Sequence, residues 1–361
     1  MKKITLRKFA AIFVVVTVAK ILLLTGLLAY FGLDRDFVVN EIYSQVQAIE
    51  TSNVEFNEPG VSYSLPASTW IPQTFNNCGP AATSMVLQHF GFNVSQEETK
   101  SRLRTNSEDK NIFTYQISDY LKDFRIESKV FYNGDLKTLK TLVSNGFYVV
   151  VEDFLHPNDD IGHVLIIRGY DDNEGVLIAD DSYFGVGIKY PYSTWDEHQW
   201  KVFNREFMPV YSHEKEETLK AIMGENWREK KMYENSIEKN QKDVELNPND
   251  VYAWFNLGTS YYALGDYQSA KTSFERSRIL GWPMRMLWYQ IEPVQTYNKL
   301  GLFSKAIELA NKGLAGNYEF AEMHFEKAIA YRGLGDMEKA EAEIAITLSM
   351  DPNFDTAPFA H

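Results

Sequence analysis

Apolar positions along this chain keep several different rhythms, and each change of rhythm marks a change of element. From Phe9 to Leu33 the side chains are apolar or small, and Lys20 is the one charge. Val39, Ile42, Tyr43, Val46 and Ile49 then fall at helical spacing over residues 36–50. Residues 51–60 are polar, carry Pro59 and Gly60, and read as a linker. Helical spacing returns at Ala82, Met85, Val86 and His89–Phe90. It is predicted again over 95–103, with Ser95 as N-cap and Glu97–Glu98 in the first turn, and over 112–124 and 135–143. Strands are predicted at 126–132, 147–154, 163–170, 176–179, 186–190 and 202–210, several as continuous apolar runs of the kind covered on both faces. Helices first and sheet second make residues 61–211 an α+β domain. The DDNEG segment at 171–175 reads as a hairpin turn, since it lacks the remaining ligand positions of a calcium loop.

Beyond Tyr211 the sheet rhythm stops. Residues 212–248 form a charged connector or cap, predicted helical over 214–246 with Gly224 its only breaker and Asn247-Pro248 its end. A repeat follows over 249–355. Trp254, Leu257, Gly258, Tyr261, Gly265-Asp266, Ala270 and Phe274 open it. Tyr297, Leu300-Gly301, Ala306 and Ala310 make a second unit, with Pro293 inside its first helix, and the step from Ala270 to Ala306 is long around Trp282-Pro283. Ala328, Tyr331, Gly335-Asp336, Ala340, Ile344 and Asp351-Pro352 make a third. These residues resemble the tetratricopeptide pattern. The resemblance implies an all-α solenoid of about three repeats that either binds a protein partner through its concave face or packs on its neighbour as a scaffold.

Charge decides orientation and excludes some partners. Lys2, Lys3, Arg7 and Lys8 precede the first apolar run, and Asp34, Asp36 and Glu41 follow it. A mid-span lysine costs about 2.5–3.5 kcal/mol, and the surrounding Leu, Ile, Val and Phe residues return about 0.3–0.6 each. The balance favours a single-pass transmembrane signal-anchor at 9–33, with residues 1–8 cytoplasmic, 34–60 juxtamembrane, and the body extracytoplasmic. A cleaved signal peptide is the alternative, with the body on the same side. A net charge of −13 argues against nucleic acid as a partner.

The chemistry centres on QTFNNCGPAATSMVLQHF, residues 73–90, which holds Cys78, the single cysteine of the 361 residues. No intrachain disulfide and no thiolate-rich zinc site is possible with one thiol. Pro80 suits a first helical turn, so Cys78 is placed at or just outside a helix N-terminus, where the macrodipole favours thiolate. His163 opens one strand, and Asp180 and Asp181 end the next, so a short hairpin makes them neighbours. Thiol, base and orienting carboxylate are the parts of nucleophilic thiol catalysis. The HPNDDIGH segment, with His156, Asp159, Asp160 and His163, reads as a solvated loop rather than a metal site, and no cofactor is called for.

Together Gln73, NNCGPAATSMVL, GHVLIIRGYDD and DDSYFG resemble the papain-like bacteriocin-processing (double-glycine-leader) peptidases and their stand-alone relatives. The resemblance covers roughly 61–211. It implies Cys78 as nucleophile, His163 as general base and acid, and Gln73 as oxyanion donor with the Cys78 backbone N–H. For the third member it favours Asp181, with Asp180 the alternative, because serine at 182 stands where the family has proline after the aspartate. The expectation is a membrane-anchored extracytoplasmic cysteine peptidase with a Cys-His-Asp triad, a peptide or protein substrate, and a repeat domain for a protein partner. A catalytically silent binding or assembly protein, and a thiol-dependent acyltransferase on the same fold, are the alternatives.

Overall fold

A computed structural model describes residues 54–104, 106 and 108–360. The anchor at 9–33 and the juxtamembrane helix at 36–50 lie outside the described residues. Among the described residues no helix is long and apolar enough to cross a membrane.

Seven antiparallel strands form one sheet in the order β2-β7-β3-β4-β5-β6, with β1 paired to β4 beside this path. They are β1 Ser62–Ser64, β2 Glu127–Ser128, β3 Tyr148–Phe154, β4 Gly162–Asp171, β5 Val176–Asp181, β6 Gly185–Pro191 and β7 Phe207–Tyr211. Four helices precede or interleave the early strands: α1 Cys78–Gln88, α2 Gln96–Leu103, α3 Thr114–Lys122 and α4 Leu136–Ser144. Ser95 caps α2 in a reciprocal box with Glu98, and Asp135 caps α4 through the Thr138 N–H. The alternating side chains of β3 and β4 feed two cores. Val149, Val151, Leu165 and Ile167 face α4 and the stacked Trp195–Trp200 pair, whereas Val150, Val164 and Ile166 face Met85 and Val86 of α1.

Two predicted strands are shorter than their apolar patterns suggest. Around 126–132 only Glu127–Ser128 pairs continuously, because the Tyr132 N–H turns to the Met232 sulfur and Lys129 lies over the Trp227 ring. In 202–210 a 3₁₀ turn at Lys201–Phe203 and positive φ at Asn204 and Arg205 delay the strand to Phe207. Strand β1 went unforeseen, being three exposed residues without an apolar pattern.

The connector is two helices, α5 Glu216–Met223 and α6 Glu229–Leu246. Gly224, at φ 52, breaks them apart. Three helix pairs follow: α7 Val251–Ala263 with α8 Tyr267–Leu280, α9 Glu292–Lys299 with α10 Phe303–Leu314, and α11 Ala321–Gly333 with α12 Met337–Met350. Pro293 lies inside α9 as expected, in its first turn, since that helix starts at Glu292 after a 3₁₀ turn at Met284–Trp288. Gly258 meets the Phe274 ring and Gly333 the Phe303 ring so closely that a Cβ would clash, which fixes glycine at the helix contacts.

Repeats and sheet share a core. Phe154, Val202 and Phe203 belong to the same apolar cluster as Phe255, Trp282, Tyr289 and Val294. The Gly162 N–H donates to Tyr289 Oη at 2.9 Å, and Arg285 Nη1 pairs with Asp160 at 2.7 Å. The repeats are thus fastened to the loop that leads into His163.

Candidate active site

Helix α1 starts at Cys78 itself. Asn77 takes the N-cap position without a side-chain cap bond, so its side chain is free for another partner. Arg104, which follows α2, uses it. Arg104 Nη1 donates to Asn77 Oδ1 at 3.0 Å and Nη2 donates to the Asn76 carbonyl. Asn76 needs such support because it sits at φ 58, a left-handed conformation that asparagine tolerates better than most residues. The Thr74 carbonyl accepts from the Asn77 N–H and closes the turn at 3.0 Å. Cys78 keeps part of its surface open to solvent.

His163 stands at the start of β4, 2% exposed. Its Nε2 lies 3.0 Å from Asp181 Oδ2, and the ring is hydrogen-bonded to the Cys78 sulfur. Burial raises the Cys78 pKa, but the His163 bond and charge, the Val164 N–H and the Arg104 charge outweigh it, and the net shift is downward. Burial works against the charged form of His163, yet Asp181 and Cys78 together raise its pKa well above the ordinary value. The two shifts favour a thiolate–imidazolium pair.

The two aspartates are separated by the sheet. Asp181 pairs with Leu165, two residues along β4 from His163 and on the same face. Besides His163 it accepts from Tyr190 Oη at 2.6 Å and from the Tyr183 and Phe184 N–H groups. Its pKa lies below the usual carboxylate value, since the His163, Tyr190 and backbone bonds overcome burial. Asp180 faces the other way. It accepts from Arg168 Nε at 2.7 Å, from both the N–H and the hydroxyl of Ser68, and from the Gly187 N–H. Asp180 does not touch His163 through any of these bonds.

Gln73 is drawn in by the same turn. Its N–H donates to the Ser182 carbonyl at 2.9 Å, and Ser182 Oγ donates to Gln73 Oε1 at 2.8 Å. With Oε1 engaged, the amide presents its NH₂ end as the free donor. Trp70 Nε1 donates to the Asp181 carbonyl at 3.1 Å, which docks the segment before Gln73 on the same strand end. Sequence reasoning passed over Arg104, Tyr190 and Ser182 in these supporting places. Only Ser182 left a trace, as a serine where a proline was expected. A Ser182→Ala change should release one neutral hydrogen bond, about 1 kcal/mol of orientation. Roughly a fivefold to tenfold fall in kcat/KM with unchanged KM is the expected kinetic result.

Among the described residues no group of three or more histidine, cysteine, aspartate or glutamate side chains is arranged to hold a metal.

Residues 63–208 match the model of the Peptidase_C39 like family, and residues 251–280 and 295–353 match two tetratricopeptide repeat models. Among curated proteins none matches the chain. One similar solved structure is the peptidase domain of Streptococcus ComA, a bi-functional ABC transporter involved in a quorum sensing pathway. It is 16% identical, with 40% of this chain and 97% of that one covered at a TM-score of 0.33. A double glycine motif protease from an AMS/PCAT transporter, solved with its leader peptide, is 15% identical over 43% and 99% at a TM-score of 0.31. MamA from Desulfovibrio magneticus RS-1 is 21% identical over 34% and 67% at a TM-score of 0.31.

Proposed function

We propose that this chain, a C39-like peptidase domain followed by tetratricopeptide repeats, is a cysteine peptidase that hydrolyses peptide bonds through Cys78, His163 and Asp181. The observation that carries this reading is the linked set of contacts from the Cys78 sulfur through the His163 ring to Asp181 Oδ2. Cys78 as thiolate attacks the scissile carbonyl and His163, protonated, delivers its proton to the leaving amine. Asp181 holds the imidazole in the tautomer that offers Nε2–H to the carboxylate and turns Nδ1 to the sulfur. The Gln73 amide and the Cys78 N–H stabilise the tetrahedral oxyanion. Water then releases the acyl-enzyme. The basic residues before the apolar run at 9–33 support an anchor that carries this body on the extracytoplasmic side, with the repeats meeting a protein partner.

Alkylation tests the centre of the proposal without a known substrate. Iodoacetamide should label Cys78 with an acid limb displaced below the ordinary thiol pKa of about 8.5, because only the thiolate reacts. In His163→Ala, burial remains and its opposing partner is gone, so the limb should move to that value or above it. The measurement is the labelling rate of the single thiol from pH 5 to 9. Labelling indifferent to the His163 change would reject the enzyme and leave a binding module.

A further inference from the structure

The first helices of the three repeats, α7, α9 and α11, turn one side toward the peptidase domain across a partly open space. Thr259 and Tyr262 of α7, Glu292 and Gln295 of α9 and Glu322 of α11 line a cavity of about 470 Å³ whose other wall is the peptidase domain. That wall includes Thr114 at the start of α3, Glu152 of β3 and Glu206 just before β7. A second cavity of about 420 Å³ shares Tyr115, Ile291, Gln295 and Glu322 with the first and continues to Asp351 and Asp355. Spaces of this size suit an extended ligand segment.

The lining is lopsided in charge. Glu152, Glu206, Glu229, Glu292 and Glu322 line the first cavity, and among its described lining residues there is no lysine, arginine or histidine. The second adds Glu326, Asp351 and Asp355, again with no basic residue in its lining. Five tyrosines, Tyr115, Tyr132, Tyr233, Tyr262 and Tyr289, stand among the glutamates of the first. Carboxylates alternating with ring faces attract alkylammonium and guanidinium groups by charge and by cation–π contact.

Glu152 is unmatched from within and Glu292 only half matched. Glu152 is 6% exposed, and among the described residues no hydrogen bond reaches its side chain. Glu292 Oε2 is buried with no partner. The charged groups acting on Glu152 are other acids and Cys78, so burial and repulsion together push its pKa well up, and burial alone takes Glu292 to about 7. A buried unpaired carboxyl oxygen is destabilising, and a cation entering the space beside Glu152 and Glu292 would offset that cost.

The space also adjoins the thiol. Glu152 is paired across the strands with Val164, whose N–H bonds to the Cys78 sulfur. Tyr289 of the cavity wall accepts from the Gly162 N–H immediately before His163 and donates its own hydroxyl to the Asp160 carbonyl at 3.5 Å. We infer that the joined cavities receive a basic stretch of the peptide substrate, its lysine or arginine side chains entering the acidic lining while the adjoining backbone lies at Cys78. This inference rests on the peptidase reading for the identity of the ligand as substrate.

Binding, read separately from cleavage, tests it. The full chain with Cys78→Ala is titrated with a fluorescent peptide carrying two lysines and with its norleucine counterpart, at 50 and 300 mM salt. The lysine peptide should bind at least tenfold more tightly, with the difference shrinking at the higher salt, and a Glu292→Gln/Glu322→Gln double change should abolish the preference. The apo double variant should melt no lower than the parent, which separates lost recognition from lost folding. Should that variant not fold, the salt dependence and the lysine-to-norleucine ratio of the parent decide. Equal binding of the two peptides overturns the inference. So does tight binding of spermidine with none of the lysine peptide, which would make this a site for a free amine. If the lysine peptide binds as expected and wild-type protein never cleaves it, the peptidase reading falls and the recognition of basic chains stands.

Discussion

Asp181→Ala should lower kcat/KM by about 10²–10⁴ while the protein still folds, and Asp180→Ala should instead lower stability by about 3–5 kcal/mol. The neighbours have opposite surroundings. Asp181 touches the imidazole at 3.0 Å, so its loss frees His163 to turn away and removes the charge that stabilises the imidazolium. Its other bonds, to Tyr190 and two backbone N–H groups, cost some stability when lost, but they do not leave a buried charge behind. Removing Asp180 does leave one. Arg168, 11% exposed at its side chain, would keep its guanidinium against Ser64 and Leu65 without its carboxylate, and the Ser68 N–H and hydroxyl would lose their acceptor. A melting point lower by about 10 °C corresponds to that loss. Asp181→Asn should stay far below wild type, since its one carbonyl cannot serve both the imidazole N–H and the Tyr183 and Phe184 N–H groups, and its NH₂ must face one of these donor sets. Thermal melting and the iodoacetamide pH profile, measured on all three variants, check the assignment. A displaced pH profile in Asp180→Ala with an unaltered one in Asp181→Ala would reverse it.

Why the sequence left both aspartates open is visible in the register. Near the hairpin turn Asp171 pairs with Val176, Tyr170 with Leu177 and Gly169 with Ile178. Carried on unbroken, that register would have put Asp180 on the face of β4 that carries His163. A bulge between Ile167 and Gly169 leaves Arg168 unpaired and advances the register by one, and Asp181 comes to that face instead. Period-two patterning does not announce a bulge within an apolar run. The helix start at Cys78 was legible because Asn-Asn and Gly-Pro are strong local punctuation. The repeats were legible through small residues at fixed spacing. The cavity was not, because its five glutamates lie on five separate stretches of chain and none forms a motif with another. Arg104 likewise follows α2, 26 residues beyond the thiol in sequence, with no local pattern tying it to the turn it braces.

Ending the chain at Leu246 should abolish folding of the peptidase domain rather than release an active fragment. Three features of the boundary lead to that expectation. Phe154, Val202 and Phe203, each at most 2% exposed, would lose Phe255, Trp282 and Tyr289 as neighbours, and each side chain so uncovered forfeits about 1.5–3 kcal/mol. Lys201 pairs with Glu197 and Asp243 and also with Asp250, which the cut removes. Asn204, held at φ 52, donates to Ser260 at 3.2 Å, and Asn256 donates to the Lys201 carbonyl at 2.8 Å, so buried polar groups would lose partners as well. Their sum reaches the 5–15 kcal/mol that holds a whole domain together. A milder cut at the same boundary connects it to the site. In Tyr289→Phe the Gly162 N–H loses its acceptor, at about 1–3 kcal/mol, one residue before His163. That variant should fold, melt lower and label Cys78 more slowly near pH 6, because a loosened strand start holds the imidazole less firmly against the sulfur. Near-ultraviolet circular dichroism, melting and thiol labelling of the truncated and Tyr289→Phe chains supply the check. A soluble, cooperatively melting fragment with the full labelling rate would show the repeats to be an appendage, whereas a silent aggregate beside a weakened Tyr289→Phe would make them part of the peptidase.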